Sequence, residues 1–223
     1  MLSLIYPPQC ISCENDAPVK DDVFCLDCKL ITGYTNHFQV RNNEMNKRLS
    51  ARVETLHAAA LYNFIKDGAV QKAIHALKYK QRRDVASVFG RQAGKMIKQS
   101  QLFEPIDLLI PIPLHQRRKR KRGYNQSTLF AEAVCKELQT KLCDDLLIKK
   151  GKRRSQTEKG RSERFKNVLH SFRLKAPERA IGKSILLVDD VITTGATIEA
   201  AYHLLHEIPD TKIQILVIAL AND

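Results

Sequence analysis

Two patterns of apolar residues alternate along this chain. Short uninterrupted runs of aliphatic residues, typical of buried strands, are followed by stretches whose apolar positions recur every three or four residues, typical of amphipathic helices. From about residue 45 onward, this alternation predicts a single α/β unit, with a parallel sheet covered by helices on both faces. The runs predict strands at residues 56–64, 108–110, 183–188 and 212–219, and the periodic stretches predict helices at residues 68–77, 84–99, 125–142 and 194–206.

The other segments of the chain have few apolar positions. Residues 149–166 are polar and basic, and a loop of this length inside a compact domain is usually functional or disordered. The first 45 residues precede the α/β unit and contain four grouped cysteines. We therefore divide the chain into a small cysteine-containing module with its linker, residues 1–45, and an α/β domain, residues 46–223.

The composition is that of an ordinary soluble globular protein. Of the 223 residues, 43% are apolar and 27% are charged, which excludes a disordered chain, a collagen-like repeat and a disulfide-rich miniprotein. The longest uninterrupted apolar run has seven residues, 215–221, whereas a membrane-spanning helix needs about 20. Residues 1–6 lack the positive region and the long apolar stretch of a secretory signal. We therefore expect no membrane span and a cytoplasmic location.

The positive charge is concentrated in one part of the chain. The net charge is +13, and residues 113–166 hold 17 Lys and Arg residues against six Asp and Glu residues, a net of +11. Such a field suits a nucleic acid, an acidic lipid surface or a phosphorylated small molecule, although a charge run can equally be a solubilising face. The six adjacent cations at residues 117–122 favour an anionic partner, because they repel one another unless an anion is bound.

Four cysteines near the N-terminus have the spacing of a metal site. Cys10, Cys13, Cys25 and Cys28 form the pattern C-x2-C-x11-C-x2-C, so that two CxxC pairs can direct four thiolates at one tetrahedral ion. The segment is too short to build a core alone, and metal ligation can supply the missing folding energy. The spacing resembles that of zinc ribbons, so we expect a structural zinc ion. A redox CxxC pair or a chance arrangement are the alternatives, but redox pairs normally lie within a βαβ pattern that is absent here.

Residues 185–197 combine an aliphatic strand, two adjacent carboxylates and a turn of small residues. The segment reads Ile-Leu-Leu-Val-Asp-Asp-Val-Ile-Thr-Thr-Gly-Ala-Thr, and a helix is predicted to begin within it. Ligands of open parallel sheets bind beyond the carboxyl ends of the strands. Residues 193–197 offer backbone N–H groups at a helix N-terminus, hydroxyl donors and a glycine, which together suit one phosphate group.

Asp189 and Asp190 indicate what else the ligand carries. A carboxylate repels a phosphate, so the two acids suit the vicinal hydroxyls of a sugar, with or without a bridging Mg²⁺, which prefers oxygen ligands. A phosphate cradle beside this acidic pair points to a ribose 5-phosphate group. The cationic loop after Pro113 could then hold a second anionic group such as pyrophosphate. Solvated carboxylates at a strand end are the alternative interpretation of the pair.

These features occur together in a known family. Residues 185–197 resemble the phosphoribosyl diphosphate (PRPP) binding signature of type I phosphoribosyltransferases. The cysteine pattern and several short segments narrow the resemblance to the ComF-type competence proteins, which include the GntX-like proteins. Those segments are Leu77-Lys78-Tyr79, Pro111-Ile112-Pro113-Leu114, Arg122-Gly123-Tyr124-Asn125-Gln126, Arg154-x-Gln156, Arg164-x-x-Asn167-Val168 and Phe172. Together the motifs span nearly the whole chain.

The resemblance implies a fold, a ligand and two metals. The fold would be the type I phosphoribosyltransferase-like parallel sheet flanked by helices, with a hood region and an N-terminal four-cysteine zinc finger. Mg²⁺ would accompany PRPP at the two aspartates, residues 150–165 would cover the ligand, and Arg154 and Arg164 would contact the leaving pyrophosphate. The implied PRPP-binding residues are Asp189, Asp190, Val191, Thr193, Thr194, Gly195, Ala196 and Thr197. The implied pyrophosphate loop contains Pro113, Leu114, Arg122, Gly123 and Tyr124.

The resemblance also implies a role in natural transformation and DNA uptake, with incoming single-stranded DNA and competence proteins as partners in the cytoplasm. Phosphoribosyl transfer to an acceptor that no motif identifies is one hypothesis. The other is a non-catalytic module that senses PRPP or a nucleotide, or binds DNA through its basic surface. Aromatic residues make up only 6% of the chain, and Tyr124 and Phe165 are the only ones within the basic stretches. DNA binding would therefore be mainly electrostatic.

Overall fold

The structure, a computed structural model, describes residues 9–15, 17–150 and 171–221. Within these ranges, five strands form a parallel sheet and two form an antiparallel pair. The strands are β1 (Ala58–Phe64), β2 (Leu108–Pro111), β3 (Lys141–Leu142), β4 (Leu147–Lys149), β5 (Phe172–Leu174), β6 (Ser184–Ile192) and β7 (Lys212–Ala221). The helices are α1 (Leu26–Thr32), α2 (Glu44–Ser50), α3 (Ala69–Tyr79), α4 (Asp84–Gln99), α5 (Gln116–Arg122), α6 (Gln126–Leu138) and α7 (Ala196–His206), with a 3₁₀ turn at Pro177–Ala180.

The parallel sheet has the order β1-β7-β6-β2-β3, which confirms the predicted fold class. Strand β6 lies at its centre, and its side chains alternate between two apolar clusters. Leu186 and Val188 join a cluster with α3, α4 and α6, whereas Ile185 and Leu187 join a cluster with α2 and α7. Both faces of the strand are therefore covered, which is why its sequence is a continuous aliphatic run rather than an alternating pattern.

The N-terminal segment packs against the first of these faces and shares its core. Phe24 is fully buried, and the centre of its ring lies 5.9 Å from that of Phe89 in α4 and 6.4 Å from that of Tyr62 in β1. Lys72 Nζ in α3 donates a hydrogen bond to the Ser12 carbonyl at 2.8 Å. The division into residues 1–45 and 46–223 stays a prediction, and these contacts indicate that the two parts stabilise each other.

The cationic run differs from the expected loop, because it forms helix α5. The ring nitrogen Nδ1 of His115 accepts a hydrogen bond from the Arg117 N–H at the start of the helix, and Gly123, with φ +79°, ends it. Pro113 and Leu114 are half-buried between β2 and this helix. Lysine and arginine have good helix propensity, and a cap at each end offsets part of their mutual repulsion.

The helix predicted over residues 125–142 ends four residues early, at Leu138. Gln139 adopts a left-handed conformation with φ +57° and turns the chain back toward the sheet. Lys141 then pairs in parallel with Leu108 of β2, so β3 replaces the last predicted turn of helix. A left-handed residue that is not glycine leaves little signal in a sequence, and it sets the end of the helix here.

Two further differences from the sequence-based prediction concern the end of β6 and the shortest helices and strands. Strand β6 was expected to end at residue 188 but continues to Ile192, so the acidic pair lies within the strand. Helices α1 and α2 and the antiparallel strands β4 and β5 were not predicted, because each of these elements has seven residues or fewer. Among the described residues, no helix is both long enough and apolar enough to cross a bilayer.

Candidate functional site

Asp189 and Asp190 lie near the carboxyl end of β6, at the centre of the parallel sheet. Asp189 Oδ1 accepts hydrogen bonds from Ser127 Oγ at 2.9 Å and from the Asp190 N–H at 2.8 Å. Asp190 Oδ2 forms an ion pair with Lys78 Nζ at 2.6 Å. Helix α6 therefore fixes one carboxylate through Ser127, and the last turn of α3 fixes the other through Lys78.

The two carboxylates have different electrostatic environments. Burial and the neighbouring charge of Asp190 raise the pKa of Asp189 to about 7, although the Asp190 N–H, the Ser127 hydroxyl and Lys78 all act to lower it. Lys149 in β4 is a second cation near Asp189, and burial lowers the pKa of this lysine although Asp189 acts to raise it. Asp189 is thus incompletely compensated, and its surroundings suit hydroxyl donors or a metal ion rather than a bare phosphate.

Residues 193–197, called the phosphate turn below, lead from the end of β6 into the first residues of helix α7. Gly195 has φ +80° and no side chain caps α7, so the N–H groups of the first turn have no partner within the helix. A Cβ atom at position 195 would lie 3.1 Å from Leu49 Cδ2, so both the backbone conformation and the close approach favour glycine. Thr193 and Thr194 are exposed at the same place. These groups can donate several hydrogen bonds to one anion.

The predicted pyrophosphate segment continues from β2 through α5. The Arg122 guanidinium donates to the Gln126 side chain at 3.0 Å and to the Tyr79 hydroxyl at 3.2 Å, and it lies 5.0 Å from the centre of the Tyr79 ring. Tyr124 is buried, and its hydroxyl donates a hydrogen bond to the Leu77 carbonyl. The segment is therefore anchored to α3, the helix that also supplies the lysine paired with Asp190.

The four N-terminal cysteines converge on one point. The Sγ atoms of Cys10, Cys13, Cys25 and Cys28 all lie within 4.8 Å of one another. Burial raises the pKa of Cys10, but the N–H groups of Cys13, Cys25 and Ser12 lower it to about 6. Burial also raises the pKa of Cys28. Four sulfur atoms this close fit a tetrahedral metal ion such as zinc, which would stabilise all four as thiolates.

Comparisons with known proteins bear on this arrangement. Residues 125–223 match the family model described as the phosphoribosyl transferase domain. The DNA utilization protein YhgH of Escherichia coli O6:H1 is 30% identical over 135 residues, which are 59% of this chain and 59% of that protein. Competence protein F of Haemophilus influenzae is 30% identical over 118 residues, 52% of this chain and 51% of that protein. Competence protein ComFC of Streptococcus pneumoniae is 39% identical over 98 residues, 44% of this chain and 41% of that protein.

The chain is thus similar to competence proteins and to a DNA utilization protein, and its residues 125–223 resemble a phosphoribosyl transferase domain. This confirms the family resemblance of its motifs. The chain spans less than two thirds of the length of the curated relatives that it matches. The region that matches the family model contains Ser127, Asp189, Asp190 and the phosphate turn, so the acidic pair and the turn lie within the part of the chain that resembles a phosphoribosyl transferase domain.

Part of the predicted site lies outside the described residues. Arg154, Arg164 and most of the predicted covering loop, residues 150–165, belong to the range 151–170 that the structure does not describe. The predicted contacts of both arginines with pyrophosphate stay predictions. So does the predicted role of Tyr124, whose hydroxyl is already engaged within the protein.

The structure adds three side chains to the candidate site that the sequence motifs did not assign. Ser127 and Lys78 contact the aspartates directly, and Lys149 lies close enough to Asp189 to affect it electrostatically. Lys78 belongs to a motif of the family resemblance, but nothing near it in sequence shows that it meets Asp190. Ser127 has a weak signal, since it directly follows the motif Arg122-Gly123-Tyr124-Asn125-Gln126 and lies in the first turn of α6.

Proposed function

We propose that this protein is of the ComF type and binds PRPP, with the acidic pair on the ribose hydroxyls and the phosphate turn on the 5-phosphate. The observation that carries the proposal is the junction of β6 and α7, where two fixed carboxylates lie a few residues before an uncapped helix N-terminus with a left-handed glycine. The carboxylates, which repel an anion, and the N–H groups of the phosphate turn, which attract one, thus lie at different places along the same segment of chain. The proposed PRPP contacts are Asp189, Asp190, Val191, Thr193, Thr194, Gly195, Ala196 and Thr197.

The pyrophosphate end of PRPP belongs, in this proposal, beside α5. Arg122 contributes a cation there, and its position is fixed by hydrogen bonds to Gln126 and Tyr79. The incompletely compensated charge of Asp189 fits a bound Mg²⁺, held by Asp189 and Asp190 directly or through the ligand. Such an ion would offset negative charge on the pyrophosphate. The chain itself orients the sugar and keeps the phosphate apart from the carboxylates.

Two activities are compatible with such a site. In a phosphoribosyl transfer, the bond between C1 of ribose and pyrophosphate breaks while an acceptor attacks C1, and arginines near the pyrophosphate offset the charge that develops there. In a non-catalytic module, PRPP or a nucleotide is bound as an effector without transfer. Release of pyrophosphate when PRPP and candidate acceptors are offered separates the two, because only the transferase produces it.

Single-stranded DNA is the proposed macromolecular ligand. Residues 117–121 of α5 are exposed cations. Tyr79 is 58% exposed and lies beside Arg122. The centre of its ring is 4.7 Å from that of the His75 ring. Exposed cations can contact phosphates and an exposed ring can stack on a base. The names of the relatives, which refer to DNA utilization and competence, agree with this proposal. We place the protein in the cytoplasm, with competence proteins as partners in DNA uptake.

The experiment that tests the proposed function is a calorimetric titration with PRPP in the presence of Mg²⁺. We expect saturable binding at one site per chain and much weaker heat with ribose alone, because the phosphate turn then has no anion to bind. Absence of PRPP binding up to millimolar concentration would overturn the proposal. A zinc ion in the four-cysteine cluster is proposed as a structural element of the same protein.

A further inference from the structure

Helix α2 packs directly against the phosphate turn, although it lies outside both the sequence motifs and the region that matches the family model. The side chain of Asn43 accepts a hydrogen bond from the Asn46 N–H and donates one to the Ala58 carbonyl at 2.9 Å, so the start of the helix is tied to β1. Leu49 is fully buried and lies closest to the space beside Gly195. The helix is therefore held in a fixed position against the turn.

Two arginines extend from this helix and its C-terminal side to the phosphate turn. Arg48 NH1 donates to the Thr193 carbonyl at 3.3 Å and also to the carbonyl of Ala221 at the end of β7. Arg52 NH1 donates to the Thr194 carbonyl. Two consecutive peptide groups of the turn thus have their oxygens bound by guanidinium groups from the same side.

These hydrogen bonds also set the direction of the N–H groups in the turn. A trans peptide is planar, so the N–H of a residue points away from the carbonyl oxygen of the residue before it. Because the carbonyls of Thr193 and Thr194 point toward the arginines, the N–H groups of Thr194 and Gly195 point away from α2. The arginines therefore turn two donors of the phosphate turn outward from the helix that supports it.

Arg52 also lies beside the buried carboxylate of Glu199, whose charge needs a cation close by. This glutamate lies in the first turn of α7, is only 4% exposed, and its Oε2 atom has no hydrogen-bond partner among the described residues. Oε2 lies 3.9 Å from Arg52 NH1, at the limit of an ion pair. A buried carboxylate in the first turn of a phosphate-binding helix would repel the phosphate unless a cation compensates it.

The geometry points to Arg48 and Arg52 as positioning residues for the 5-phosphate: they orient the N–H groups of the phosphate turn, and Arg52 also compensates Glu199. This inference rests on the proposed function, and it adds a segment that the family motifs do not include. Neither arginine needs to touch the ligand, since each acts through the carbonyl that it binds. The ligand class that depends on them is a sugar phosphate, whereas a pyrophosphate bound beside α5 does not depend on them.

The test compares ribose 5-phosphate and inorganic pyrophosphate as calorimetric probes on the full chain. For Arg52→Met, we expect binding of ribose 5-phosphate to weaken about tenfold, the effect of losing one charge-assisted hydrogen bond. Arg48→Met should weaken it by a smaller factor, and pyrophosphate affinity should stay unchanged in both variants. Lys47→Met is the matched control, because it removes an exposed cation from the same helix without a contact to the turn, and it should bind both probes like the parent.

Two further variants separate a charge effect from loss of structure. The double variant Arg52→Met/Glu199→Gln should recover part of the lost affinity for ribose 5-phosphate, because the uncompensated carboxylate is removed together with its partner while the hydrogen bond to the Thr194 carbonyl stays lost. Arg52→Lys should keep part of the affinity, since it retains the charge. Equal weakening of both probes, or failure of the double variant to recover, would overturn the inference. A parent that binds neither PRPP nor ribose 5-phosphate would instead overturn the proposed function, and the inference with it.

Discussion

Lys78 Nζ lies 2.6 Å from Asp190 Oδ2, and this ion pair joins the last turn of α3 to the carboxyl end of β6. Both side chains are largely buried, with 21% of Lys78 and 17% of Asp190 exposed. The lysine compensates one member of the acidic pair and leaves Asp189 with a raised pKa. Both aspartates are therefore held in place, but they differ in charge compensation: Asp190 is paired with a lysine, whereas Asp189 can still accept a cation.

The first prediction concerns this ion pair. Replacement of Lys78 by methionine leaves Asp190 without its cation, so the carboxylate loses its fixed position. We expect PRPP affinity to fall about tenfold, since breaking a partly buried charged hydrogen bond costs about 1.5–3 kcal/mol before relaxation. Lys80→Met is the control, because Lys80 is exposed and its nearest described carboxylate, that of Glu14, is 3.9 Å away. Parent-like binding by Lys78→Met would show that the ion pair does not position Asp190.

The second prediction concerns the pH dependence of stability without Mg²⁺. The folded-state pKa of Asp189 is raised to about 7, whereas the unfolded chain titrates near its ordinary value of about 3.9. Between these values the unfolded state has released the proton and the folded state retains it. The contribution of Asp189 to the free energy of unfolding is therefore fully present at low pH and is lost as the pH rises through about 7.

Asp189→Asn removes that dependence. We expect the melting temperature of the parent to fall relative to that of the variant as the pH is raised from about 5 to about 8. Thermal denaturation in matched buffers measures the difference, and the comparison with the variant cancels the contributions of the other groups. A constant difference between the two proteins over this range would contradict the raised pKa.

The third prediction concerns the four-cysteine cluster. Because Phe24, which directly precedes Cys25, packs against Phe89 of α4, loss of a metal should lower the stability of the main domain as well. We expect one zinc ion per chain by metal analysis and a lower melting temperature after chelation or in Cys25→Ser. Cys135→Ala, a buried cysteine outside the cluster, should retain its zinc. A chain that is free of zinc and equally stable with and without chelator would exclude a structural metal.

The fourth prediction separates stacking from charge in DNA binding. Tyr79→Ala should weaken binding of single-stranded DNA without changing the slope of log affinity against log salt, because a stacked ring releases no counterion. Arg120→Ala on α5 should reduce that slope by about 0.7 if the arginine contacts one phosphate. Tyr34→Ala is the control for an exposed tyrosine outside the basic surface. A salt-independent affinity in the parent would contradict electrostatic binding.

The parts of the fold that the sequence predicted are those set by local pattern. The aliphatic run from Ile185 to Val188 predicts a buried strand, because a strand covered on both faces needs apolar residues at every position. The four cysteines were recognised from their spacing, and the acidic pair from the strand and turn that flank it. Each of these patterns lies within a short stretch of the chain. The cysteine cluster in the structure agrees with that spacing.

The parts that the sequence missed depend on contacts between distant segments. Lys78 meets Asp190 and Arg52 meets Thr194 only after α2 and α3 have packed on the sheet, so no local signal marks either residue. Tyr79 is likewise separated in sequence from Arg122, which explains why it was not counted among the aromatic residues of the basic stretches. In each case, the sequence does not show which distant residue a side chain will contact after the chain has folded.

The central claim is tested most directly by calorimetry, which measures Mg²⁺-dependent PRPP binding by the parent protein and by the variants Asp189→Asn and Asp190→Asn. The account predicts one PRPP site per chain in the parent, severe weakening in both variants, and parent-like binding in Asp144→Asn, which alters an exposed aspartate elsewhere. If both Asp189→Asn and Asp190→Asn bind PRPP as tightly as the parent, the acidic pair does not hold the ribose and the assigned site is wrong.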